Sequence, residues 1–175
     1  LSLKTLGSIF LYPLIGSLLA GGIVIWGIGT PFALLTDHLT NWLSTLGNIG
    51  KIPLAAILGG MTAFDMGGPI NKVATLFAQT QVDTLPYLMG GVGAAICIPP
   101  IGMGIATLLA PGKYNSEEKE DGKAALIMGC VGITEGAIPF AANDPLRVIP
   151  SLIIGSITGN IIAFLGGVLN HAPWG

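Results

Sequence analysis

The sequence predicts an all-α protein, a polytopic transmembrane helical bundle with two re-entrant helical hairpins. Three observations predict it. Of 175 residues, 51% are hydrophobic and 9% charged, with mean hydropathy +0.77, against about 25% charged in an average soluble domain. Three uncharged runs, Gly7 to Thr36, Leu85 to Ala110 and Val148 to Asn170, reach the length of about 20 apolar residues that a helix needs to cross hydrocarbon. Two further apolar stretches, Ile52 to Ala78 and Ala124 to Ala142, are each interrupted by an acid, glycine and a proline. The 27 glycines fit membrane helices that pack closely through small residues.

Taken in chain order, Gly7 to Thr36 is the first span. In Asp37 to Lys51, Leu39, Trp42, Leu43 and Leu46 are interleaved with Asn41, Ser44 and Asn48, the pattern of an amphipathic helix lying along the interface. In Ile52 to Ala78, Asp65 is followed by Met66-Gly67-Gly68-Pro69, and the halves of about a dozen residues are too short to cross but long enough to enter and return. Pro69 suits the first turn of a helix, so Asn71 and Lys72 fall in the first turn of a half-helix whose free amides face the break. Pro99-Pro100 removes two backbone donors from the second span and predicts a kink or break with an irregular lower half.

Lys113 to Lys123 carries three Lys and four acids and reads as an aqueous loop with no more than a solvated helical turn. Its weak cation bias assigns it to the cytoplasm. In Ala124 to Ala142, Glu135 is followed by Gly136-Ala137-Ile138-Pro139, so in both broken stretches the acid precedes the proline by four residues. Interrupted apolar segments at paired positions point to a transporter's midplane site; coincidence in a Gly- and Pro-rich chain is the competing explanation of the matched spacing. Asp144 is placed as N-cap and Pro145 as first helical residue of the third span, with Arg147, the only arginine, near the membrane edge. The chain starts at Leu1 without the pattern of a signal peptide and stops just after an apolar run, which reads as a fragment of a longer membrane protein.

A net charge of -2 lacks the basic excess that neutralises phosphates, which excludes nucleic acid as a partner. No Walker loop, His-x-x-x-His or Gly-x-Ser-x-Gly element occurs, so no catalytic residue, metal site or cofactor is assigned. Cys97 and Cys130 lie among apolar neighbours and read as packing residues; His38 and His171 read as interfacial. Glu135 is the most informative position, since an ionised group at membrane depth costs at least about 2.5 kcal/mol unless paired or hydrated. A carboxylate accepts hydrogen bonds from two neighbouring hydroxyls at once, which suits a sugar diol. Capping a half-helix, sitting at the interface and relaying protons are the alternatives. The expectation is a Glu135 that meets a polyol in an adjoining cavity rather than a cation. Lys72 either neutralises Asp65 or Glu135 or meets a phosphate brought by a partner.

The run Gly132-Ile133-Thr134-Glu135-Gly136-Ala137-Ile138-Pro139-Phe140, continuing through Asn143-Asp144-Pro145-Leu146-Arg147-Val148-Ile149-Pro150, resembles the fructose-type enzyme IIC, the permease of the phosphoenolpyruvate-dependent sugar phosphotransferase system. Ala63-Phe64-Asp65-Met66-Gly67-Gly68-Pro69-Ile70-Asn71-Lys72 resembles the family's other signature. The resemblance covers residues 1–175 as the C-terminal transport part of an enzyme IIC. It implies a multi-pass permease of the bacterial inner membrane, homodimeric when full length. Such a permease binds a fructose-type sugar and presents it to a phosphorylated IIB unit, itself charged through IIA and the phosphohistidine carrier protein. The phosphocysteine of such a system belongs to IIB, and neither Cys97 nor Cys130 sits in a similar loop. The resemblance implies a sugar-binding carboxylate at Glu135. Thr134, Gly136, Asp65 and Asn71 complete the candidate sugar contacts, and Lys72 and Arg147 are candidate contacts to a phosphate or a partner. Some relatives use a histidine as a second sugar contact, but neither His38 nor His171 lies in a matching motif. An ion-coupled secondary sugar transporter, with Asp65 and Glu135 carrying protons or sodium, is the rival reading, and a non-transporting membrane scaffold is a third.

Overall fold

The computed structural model describes residues 11–46 and 50–173, and among these every regular element is helical. The chain divides into two units, residues 1–41 and 42–175. In the first, helix α1 (Tyr12–Gly22) passes through a π-helical stretch, Ile23–Ile28, into α2 (Gly29–Leu46), which runs on beyond the unit. From Tyr12 to Thr36 the first predicted span is therefore a helix whose winding changes midway, its residues 7–10 lying outside the described residues, and Asp37 to Leu46 is the end of α2 rather than a separate interfacial helix. Its polar residues follow the apolar ones without a helix breaker, so no local signal stops the winding. Residues 47–49 of that predicted element lie outside the described residues.

The second unit is built from α3 (Lys51–Phe64), α4 (Pro69–Thr80), α5 (Pro86–Leu109), α6 (Ser116–Cys130), the short α7 (Ile138–Asn143) and α8 (Pro145–Leu165). Among the described residues, α5 and α8 are long and apolar enough to cross a membrane. Leu146, Ile154, Ile162 and Leu165 of α8 are exposed large apolar side chains, a surface that water does not favour.

Helix α8 packs against both α3 and α5. The junction is tight because Gly59 of α3 lies against the Ser156 carbonyl, where a Cβ has no room. Asn160, fully buried there, donates from Nδ2 to the Ala55 carbonyl at 2.8 Å and tethers α8 to α3. Near the C-terminal end of α8 Tyr87 meets Phe164 edge to face at 5.2 Å, and the Lys51 ammonium lies 4.8 Å from the Tyr87 ring centre. Helix α8 closes in a Schellman turn, with Val168 N–H donating to the Ala163 carbonyl and Gly167 at φ +68°.

Helix α5 is continuous through Pro99 and Pro100, contrary to the predicted break. Pro99 has no N–H for the Ala95 carbonyl one turn back. The Ser156 hydroxyl of α8 supplies that donor, at 3.2 Å, so the neighbouring helix satisfies the group that proline frees. The second correction concerns Lys113 to Lys123. The structure winds Ser116–Lys123 into the first two turns of α6, started by a capping box in which Asn115 Oδ1 accepts from Glu118 N–H at 2.9 Å and Glu118 Oε2 from Asn115 N–H at 2.8 Å. Helices α5 and α6 run antiparallel, with Thr107 against Gly122 and Ile101 against Gly129.

Candidate functional site

Both predicted breaks exist. Helix α3 ends at Phe64 and α4 starts at Pro69; α6 ends at Cys130 and α7 starts at Ile138 after the single turn Thr134–Ala137. At 14 and 12 residues, α3 and α4 are about 21 and 18 Å long, short of the roughly 30 Å hydrocarbon.

The first break is stitched from both sides. Helix α4 opens with Pro69, which has no amide hydrogen, so the unpaired donors of its first turn are the Ile70 and Asn71 amides. Asp65 accepts both, Oδ2 from Ile70 at 2.7 Å and Oδ1 from Asn71 at 2.8 Å. An anion at a helix N-terminus also gains from the helix dipole. Asn71, buried, turns its Nδ2 back to the Thr62 carbonyl, one of the orphan acceptors at the end of α3, and its own carbonyl accepts the Thr75 hydroxyl at 2.9 Å. The free amides expected to face the break are thus filled by the chain's own carboxylate. The polar atoms of Asp65 and Asn71 are engaged in holding the break.

The second break is built differently. Glu135 lies in a 3-10 turn and caps no helix. Despite the common four-residue spacing from acid to proline, Asp65 bonds its own helix start and Glu135 points across to the other break. The spacing is therefore not accompanied by a repeated local structure. Thr134 beside it is buried. Gly136 is packed against Pro100 of α5 and Ala125 and Met128 of α6, so its lack of a side chain seats the turn on the bundle.

The two breaks meet. Gly67, at φ +98°, presents its backbone directly to the Glu135 side chain, in the space a Cβ at Gly67 requires. Met66 precedes it at φ +40° and is buried in a cluster with Ala63, Met103, Ala137 and Phe140. Lys72, in the first turn of α4, brings its ammonium to 3.7 Å from Glu135 Oε1. The expectation that Glu135 has no cation partner is corrected here, and of the partners open to Lys72 the structure selects Glu135. The physical reason is the register of the two breaks, which places the first turn of α4 opposite the Thr134–Ala137 turn. The pair is half-exposed, 49% for Lys72 and 41% for Glu135, and among the described residues no hydrogen bond engages the carboxylate. An exposed ion pair at this distance is worth about 0–1 kcal/mol in water, so it positions Glu135 without saturating it. The expected adjoining cavity is not found among the three clearest ones, of about 330, 580 and 220 Å³, none of which Glu135 lines.

Arg147 stands apart from this junction. It is exposed and pairs with Asp144 at 3.4 Å. Asp144 occupies the N-cap position of α8, as its sequence predicts, but makes no side-chain cap bond; its carboxylate is drawn to Arg147 instead. Arg147 lines the 580 Å³ cavity together with Lys113, Tyr114 and Asn143, a group that the sequence, with these residues 30 positions apart, does not announce. Cys97 and Cys130 line a separate cavity of about 220 Å³. Among the described residues, no cluster of three or more His, Cys, Asp or Glu suited to a metal occurs.

No family model and no solved structure matches the chain. It is 51% identical over 99% of its length to the Fructose-like permease IIC component 2 of Escherichia coli (strain K12), covering 48% of that protein. It is 46% identical over 99% of its length to the PTS system fructose-specific EIIB'BC component of the same organism, covering 31% of it. Against the Fructose permease IIC component of Bacillus amyloliquefaciens the identity is 41%, over 99% of this chain and 57% of that protein. The chain thus spans about half the length of the separate IIC relatives that it matches. Along nearly all of its own length it is homologous to proteins named fructose-like or fructose-specific permease IIC components.

Proposed function

We propose that this chain is the C-terminal transport part of a sugar phosphotransferase permease, binding a fructose-type sugar and delivering it to a phosphorylated IIB unit. The observation that carries the reading is the pairing of homology along 99% of the chain with fructose-named IIC components and a junction at which two broken helical segments meet around Glu135. In this reading α5 and α8 cross the bacterial inner membrane, and the α3–α4 and α6–α7 pairs enter and return, so that the junction lies at depth. Names that join IIB and IIC in one protein support IIB as the partner, charged in turn through IIA and the phosphohistidine carrier protein. The full-length protein is then a multi-pass homodimer.

Glu135 is the sugar-binding group. Its two oxygens accept neighbouring hydroxyls, and Lys72 orients it while leaving its hydrogen-bonding capacity free. Gly67 provides the close backbone approach, and Thr134 and Gly136 hold the turn in place. We assign Asp65 and Asn71 to the shape of the junction, because their polar atoms are already bonded. We assign no acid-base or covalent step to the described residues. The sugar hydroxyl is held near the phosphoryl donor, and proximity is the contribution to transfer.

The test uses full-length protein in vesicles with IIA and IIB supplied. Sugar phosphorylated only when IIB is present is the expected result, and Glu135→Ala abolishes sugar binding. Unmodified sugar accumulating in step with a proton or sodium gradient would reject group translocation, and wild-type affinity in Glu135→Ala would reject the site.

A further inference from the structure

The cavity of about 580 Å³ lies between the second half of α5, the turn Pro111–Lys113, α7 and the first half of α8. Its volume is in the range of small-molecule sites. Its floor is apolar, formed by Met103, Phe140 and Leu152 of the buried core. Its rim carries two cations, Lys113 and Arg147, and two acids, Glu118 and Asp144.

Both acids are partly engaged. Glu118 accepts from the Asn115 amide at 2.8 Å through Oε2 and from Asn143 Nδ2 at 3.3 Å through Oε1, and Asp144 holds Arg147 at 3.4 Å. Lys113 enters no ion pair among the described residues, and Arg147, paired with Asp144 through a single guanidinium nitrogen, is largely exposed and keeps its other N–H donors. Formal charges around the rim cancel, and the donors left over are the Lys113 ammonium and the remaining guanidinium N–H groups of Arg147. Tyr114, fixed edge to face on Phe140 at 6.2 Å, adds an aromatic wall and a hydroxyl.

The geometry points to a binding site for a phosphate ester, separate from the Glu135 junction, in which Lys113 and Arg147 hold the phosphate and the Tyr114–Phe140 wall and the apolar floor hold the organic part. Guanidinium and ammonium groups bind phosphate through charge-assisted hydrogen bonds, and the ring and floor exclude water from the remainder. Resting on the permease reading, the ester assigned to it is a hexose phosphate, the product of the transfer. An anionic lipid headgroup shares the chemistry.

The experiment measures equilibrium binding of fructose 1-phosphate to the full-length protein in discs of zwitterionic lipid, with inorganic phosphate as one competitor and phosphatidylglycerol in the discs as another. Saturable binding that weakens about tenfold in Lys113→Ala and again in Arg147→Ala is expected. Arg147→Lys, which keeps the charge and a donor, should recover part of the affinity, and unchanged thermal midpoints show that the variants are folded. Fructose 1-phosphate binding unaffected by either substitution overturns the site. Equally tight binding of inorganic phosphate overturns the ester. Loss of binding when phosphatidylglycerol is present keeps the phosphate site and transfers it to lipid. IIB-dependent phosphorylation of free sugar is assayed on the same preparation, so a failed permease reading and an absent product site give different results.

Discussion

Replacing Asp65 tests whether the first break is held by the chain itself. In Asp65→Ala the Ile70 and Asn71 amides both lose their acceptor, now at 2.7 and 2.8 Å. A buried donor left unpaired costs about 1–3 kcal/mol, and loss of an N-terminal cap costs about 0.5–2 kcal/mol. The break is half-buried, so the lower part of each range applies and the two amides together give about 2–3 kcal/mol. Asp65→Asn keeps one oxygen but turns the other acceptor into a donor facing an amide, for about half that loss or more. Urea unfolding of the full-length protein in detergent, followed by circular dichroism, reads the stability, and sugar binding on the same samples reads the site. The reasoning requires stability to fall in both variants and residual sugar affinity to follow the folded fraction. An Asp65→Ala protein as stable as wild type but unable to bind sugar would refute it and make Asp65 a ligand.

Ser156→Ala leaves the Ala95 carbonyl without a donor, because Pro99 cannot supply one, and should cost about 1–2 kcal/mol; with Pro99→Ala added, the helix regains its own N–H and the loss shrinks, whereas strictly additive effects in unfolding measurements would contradict the account. Gly67→Ala puts a Cβ into the space of the Glu135 side chain at a residue with φ +98°, so it should destabilise by about 1–3 kcal/mol and weaken sugar binding as well; unaltered binding would show that the two breaks do not depend on each other. Cys97 and Cys130 line one cavity, so a short bifunctional thiol reagent should join α5 to α6 within a chain, detectable by mass spectrometry; two singly modified thiols and no bridge would argue against the antiparallel pairing of these helices.

The helices long enough to cross a membrane and the two interruptions were legible in the chain, because apolar run length and the backbone limits of glycine and proline are local properties. Glu135 stands out as a candidate for the same reason, since a lone acid in an apolar stretch is conspicuous wherever the stretch folds, but its ion pair with Lys72 does not follow from the sequence. What Asp65, Pro99 and Lys72 do was decided only by tertiary structure. The Asp65 carboxylate turns onto amides five and six residues ahead, Pro99 stays helical because a serine 57 positions away lies beside it, and Lys72 meets Glu135 across 63 positions of sequence. Hydropathy states that a polar group at depth needs a partner; only the packing of one helix on another states which partner is within reach.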